Sequence, residues 1–130
     1  MRKLLFLICS LALTTEALRA QPQWQVVMPT PEGDFMVDTR SIERHGDLRR
    51  FKSMRDYTTE QSTYDGKAYR STLAVIEVDC RANEAIVLEV GYYTGRQLSG
   101  SLAYREADFH IPQPIDKRSP IQRYAQRLCQ

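Results

Sequence analysis

The chain has 130 residues, 42% of them hydrophobic and 26% charged, with 18 basic and 16 acidic residues and a formal net charge of +2. That length suits one domain with a modest core. So small a charge imbalance leaves no electrostatic footprint for nucleic acid or anionic lipid.

The first segment reads as a leader. Arg2 and Lys3 form a basic start, Leu4 to Leu13 an apolar stretch, and a polar run ends in Leu18-Arg19-Ala20. This is the layout of a secretory signal peptide, too short to stay as a membrane-spanning helix. Cleavage is expected after Ala20, with Ala17 as a second site. A lipid anchor on Cys9 would need a small residue directly before it, and Ile8 stands there. Without Arg2, Lys3, Arg19 and Glu16, residues 21–130 carry 15 basic and 15 acidic residues and are neutral. No later segment is apolar enough to cross a membrane, so the expectation is an exported single domain, in the periplasm in preference to the cell surface.

Cys80 and Cys129 then remain, and two thiols in an oxidising compartment read as one disulfide. Its loop of about 50 residues corresponds to roughly 4 kcal/mol in the chain-entropy view. A zinc or redox site is the rival, but there is no CxxC, and His45 and His110 have no ligand-like spacing to either cysteine.

Trp24 to Met28 is a short apolar strand, stopped by the turn signal Pro29-Thr-Pro31-Glu-Gly33. Asp34 to Asp38 is a second strand, after which Asp38 can cap a helical turn over Thr39 to Arg44. Leu48 to Tyr57 is expected as a strand, although Leu48, Phe51, Met54 and Tyr57 recur nearer every third residue than every second. Asp56 to Arg70 is polar, with a turn at Asp65-Gly66, and reads as a loop or a loose hairpin end. Arg70 to Cys80 is the clearest strand, with Thr72, Ala74, Ile76, Val78 and Cys80 alternating onto one face. After Arg81 to Glu84, Ala85 to Tyr93 returns antiparallel. Thr94 to Ser101 turns again, and Leu102 to Phe109 supplies a last strand.

Beyond Ile111-Pro-Gln-Pro114 the period becomes helical. Ser119 is a natural N-cap, Pro120 fits the first helical position, and Gln122 completes a capping box. Ile121, Tyr124, Ala125 and Leu128 share one face. The expected fold is α+β: an antiparallel sheet of about five to six strands, a C-terminal helix packed on one face, and one disulfide.

Three stretches resemble the surface-adhesin protein E family of Gram-negative envelope proteins: FMVDTRSIERHGDLRRF (Phe35 to Phe51), LAVIEVDC (Leu73 to Cys80) and the Ser119 to Cys129 helix ending in cysteine. The resemblance covers most of residues 21–130. It implies a small α+β fold with a Cys80–Cys129 bond and, in the best-known member, binding of host matrix and serum proteins. That member is a surface lipoprotein, and the residues around Cys9 depart from it.

No catalytic residue, metal ligand set or cofactor motif stands out. His45 lies in a polar turn, His110 precedes a proline, and Ser99-Gly-Ser101 lacks the strand–elbow–helix context of a nucleophile. Tyrosine is more suggestive. Tyr57, Tyr64 and Tyr69 lie in or beside the polar loop, and Tyr92 and Tyr93 precede a glycine turn. Such residues make favourable contact surface for protein partners. They also serve as cross-strand pairs covering an open sheet face, the weightier reading because exposed aromatics on antiparallel sheets are common. The Asp56–Arg70 loop is the expected binding surface. The functional expectation is a non-enzymatic envelope protein that binds host matrix or envelope proteins, with a periplasmic accessory domain as the second reading. A strongly apolar open face would admit a homodimer.

Overall fold

The computed structural model describes residues 21–107 and 111–130, so the leader, its expected cleavage after Ala20, Cys9 and His110 lie outside the described residues. Strands β1 (Trp24–Thr30), β2 (Gly33–Asp38), β3 (Glu43–His45), β4 (Leu48–Ser62), β5 (Ala68–Asp79), β6 (Glu84–Tyr93), β7 (Leu102–Glu106) and β8 (Gln113–Pro114) precede one helix, α1 (Pro120–Leu128). All pairings are antiparallel, in the order β1-β2-β4-β5-β6-β7. β2 and β3 take successive stretches of one edge of β4, and β7 and β8 do the same along β6. Among the described residues the sheet therefore has eight strands, not five to six. The extra two are three and two residues long, too short to show alternation.

Other expected boundaries also move. The helical turn after Asp38 spans only Thr39–Ser41, although Asp38 caps it as expected, accepting from the Arg40 amide at 3.0 Å. The stretch expected as a loop is largely strand, since β4 runs to Ser62 and β5 resumes at Ala68. The last long strand ends at Glu106, and its expected end at Phe109 lies outside the described residues. At Gly33, a Cβ would run into the Asp56 carbonyl oxygen, so the close approach of β4 demands glycine there.

The core lies under α1. Val27, Phe35, Val37, Phe51, Ile76 and Val78 from the sheet meet Tyr124, Ala125 and Leu128 from the helix. Phe51 and Tyr124 pack edge to face, with centroids 5.3 Å apart. Both ends of the helix are secured. Ser119 accepts from the Gln122 amide at 3.2 Å, and Pro120 occupies the first turn. Gln122 does not return the bond, because the Ser119 amide instead donates to the Asp116 carbonyl. At the other end, Arg44 Nη1 and Arg49 Nε each donate to the Leu128 carbonyl at 3.2 Å, and Cys129 is bonded to Cys80 with Cα atoms 5.5 Å apart. Cationic donors on a final carbonyl suit the negative end of the helix dipole. Substituting Ser119→Ala should cost about 1 kcal/mol. A denaturation midpoint equal to that of the parent protein would show that the cap contributes nothing.

Among the described residues no helix is long and apolar enough to cross a membrane.

Candidate functional site

Alternation along paired strands builds the site. Arg55 stands opposite Phe35 on β2 and Thr72 on β5, and Thr72 stands opposite Tyr92 on β6. These residues share the face that carries α1; Phe35 belongs to the core beneath the helix, and Arg55, Thr72 and Tyr92 lie beyond the end that the helix covers. Tyr57, Tyr69, Tyr92 and Tyr104, from β4, β5, β6 and β7, form a row across that open end. Successive centroids lie 5.7, 4.9 and 5.8 Å apart. The first two contacts are edge to face, with interplanar angles of 79° and 76°. Strict alternation from Ser71 would turn Tyr69 to the other face, and the pairing register breaks at this point, between Asp56 and Gln61.

Between the row and the helix lies a trough of about 230 Å³, floored by the small residues Ser53, Thr72 and Ala74 and flanked by Arg55 and Val90. The Arg55 guanidinium sits 5.7 Å from the centre of the Phe35 ring, and Lys67 Nζ lies 4.8 Å from that of Tyr104. The Tyr92 hydroxyl donates to Glu106 at 3.0 Å. Burial, reinforced by that bond and by the carboxylate charge, pushes the Tyr92 phenol up to about 12. Burial also raises Tyr57, with Arg55 opposing it. Both rings stay neutral through the physiological range.

The reverse face is clamped by the β6–β7 connection. Asp56, 3% exposed, accepts from Arg96 Nη2 at 2.9 Å and from the Gln97 amide at 2.8 Å. Ser71 accepts from the Leu98 amide at 2.9 Å and donates to the Gly95 carbonyl at 2.6 Å. Gln97 and Leu98 hold φ of 52° and 61° to reach these positions. The clamp fixes β4 and β5 from behind at the level where Arg55 and Thr72 face the trough.

Of the tyrosines singled out in the sequence, the structure joins Tyr57, Tyr69 and Tyr92 and separates the other two. Tyr64 is 99% exposed at the tip of the β4–β5 hairpin. Tyr93 lies on the reverse face, beside Leu73, Gly91 and Leu102. Sequence reasoning missed Tyr104, which stands directly opposite Tyr92. Only the register of β7 would have revealed it. Among the described residues no group of three or more His, Cys, Asp or Glu side chains could hold a metal ion, and the exposed His45 lies 3.5 Å from Glu43.

A comparison with curated protein sequences gives no significant match. Solved structures of protein E from Haemophilus influenzae share the fold. The selenomethionine form is 16% identical, covering 84% of this chain and 92% of that one, with a TM-score of 0.59. A second structure is 15% identical, covering 82% and 83%, with a TM-score of 0.58. Protein E from non-typeable Haemophilus influenzae is 13% identical, covering 85% and 78%, with a TM-score of 0.57. Identities this low speak for the fold alone. The sequence profile of Surface-adhesin protein E matches residues 24–130, the whole domain from β1 to the end of the chain, and the protein therefore belongs to that family.

Proposed function

We propose that this protein is an exported, adhesin-like binding module that takes a host matrix or serum protein on its tyrosine-lined face. The observation that carries the reading is the convergence of Tyr57, Tyr69, Tyr92 and Tyr104 from four neighbouring strands beside a trough that α1 leaves open. Tyrosine offers large contact area with only two side-chain torsions to immobilise, and a row already packed ring against ring loses little further freedom on binding. The clamp through Asp56 and Ser71 adds rigidity from behind.

The family is one of surface adhesins, not of enzymes. Membership implies an exported or cell-surface protein and gives no support to a preference for the periplasm. A leader over residues 1–20, cleaved after Ala20, would deliver the domain formed by residues 21–130.

The test is capture of a panel of purified matrix and serum proteins by the oxidised domain. The parent protein should bind at least one of them. Tyr69→Ala combined with Tyr92→Ala should weaken that binding by roughly tenfold or more, the effect expected of hot-spot aromatics, while Tyr64→Ala should leave it within about twofold. Binding that survives the double substitution in a folded protein would move the site elsewhere, and a panel with no binder would contradict the reading.

A further inference from the structure

Arg55 is charged and half-buried, and it makes no ion pair among the described residues. Its chain neighbour Asp56 would be the obvious partner, but strand alternation turns that carboxylate to the reverse face, where Arg96 and the Gln97 amide occupy both oxygens. Glu106 reaches the same face as Arg55 through its pairing with Val90, and the Tyr92 hydroxyl engages it. The guanidinium therefore lies on the Phe35 ring at the rim of the trough, facing Tyr57, with its planar fork of donors uncommitted to any carboxylate. Lys67, over Tyr104 at the far end of the row, is already paired with Asp65 at 3.6 Å.

An arginine left without an acidic partner beside an apolar trough is a receptor for a carboxylate, because the fork matches two carboxylate oxygens and the aromatic surroundings weaken competition from water. The trough itself, about 230 Å³ with Ala74, Val87 and Val90 among its lining, is apolar enough for one ring or branched aliphatic group. We infer that the trough binds an acidic peptide segment in which an aromatic or aliphatic side chain adjoins a carboxylate, the side chain entering beside Ala74 and Val90 and the carboxylate pairing with Arg55. This deepens the proposed function and rests on the same face being the binding surface.

Two small probes separate the parts. N-acetyl-L-phenylalanine carries a ring and a carboxylate; N-acetyl-L-phenylalaninamide carries the same ring without the charge. In an amide NMR titration of the isotopically labelled oxidised domain, the acid should shift Ser53, Arg55, Thr72 and Val90, with a Kd in the millimolar range for so small a molecule. It should bind about tenfold more tightly than the amide, and the advantage should shrink as salt is raised. Arg55→Gln should bring the two probes to equal affinity, and Arg55→Lys should restore part of the difference. Equal binding of acid and amide to the parent protein would overturn the inference, as would shifts clustered away from the trough. If neither probe reaches the trough while the double tyrosine variant still loses its matrix partner, the carboxylate inference falls and the binding face stands. If the acid binds as described but the panel yields no partner, the inference stands and the adhesin reading falls.

Discussion

Phe51→Ala should destabilise the domain by about 3–5 kcal/mol, the usual cost of emptying an aromatic site in a packed core. Phe51 is 1% exposed, at the centre of the contact between sheet and helix, flanked across the strands by Ile76 and capped edge to face by Tyr124. Two features keep the cavity from collapsing. The helix above it is pinned at its end by the disulfide and by Arg44 and Arg49 on the Leu128 carbonyl, and the strands beside it are held by their ladders. Since domains of this size are stable by only about 5–15 kcal/mol, the loss would consume a large part of the total. Urea titration should show a much lower midpoint with an unchanged slope. A loss under about 1 kcal/mol would mean that α1 does not rest on Phe51.

Cys129→Ser should cost about 2–4 kcal/mol. The Cys80–Cys129 bond spans 49 residues and ties the last turn of α1 to the end of β5. Opening it frees the unfolded chain from a long closed loop, the state the bond restricts most. It also leaves a helix of nine residues, marginal alone, to be held by packing and by its caps. The melting temperature of the parent protein should fall when a reductant is added, and that of the Ser variant should not respond. A parent protein indifferent to reductant would show that the bond contributes nothing to folding.

What could be read in the sequence followed burial. β5 was legible because Ile76 and Val78 point into the core while their neighbours are less buried, a pattern with period two. β4 was expected as a strand from Leu48, but without alternation to mark it, because it is covered on both sides. Phe51 and Ser53 are buried toward α1, Met54 is buried on the reverse face, and Asp56 is buried on that face under the β6–β7 connection. Double coverage erases alternation and leaves the spacing near three. The end of β4 was hidden for the opposite reason. Thr58 to Ser62 project where both faces meet water, so polar residues sit in a strand kept by pairing with Tyr69 and Ala68.

The site was half legible on the same logic. The tyrosine content singled out Tyr57, Tyr69 and Tyr92 of the row, although Tyr69 was expected in a loop and lies in β5. Consecutive strand residues face opposite ways, so Tyr92 and Tyr93 could not both belong to one face. Tyr64 sits in a turn, where no pairing holds it beside the row. The convergence of Tyr57 with Tyr69 depends on a register break, and that of Tyr92 with Tyr104 on the register of β7. Neither is encoded in local sequence pattern.

The seven tyrosines of the chain supply the most direct test of the binding face. With tyrosine rings labelled in the oxidised domain, ring resonances would be recorded before and after addition of the matrix or serum protein that the panel identifies. Shifts or broadening at Tyr57, Tyr69, Tyr92 and Tyr104, with Tyr64, Tyr93 and the core ring of Tyr124 little changed, is the predicted result. Changes confined to Tyr64 or Tyr93, with the row silent, would contradict it and place the contact on the hairpin tip or the reverse face.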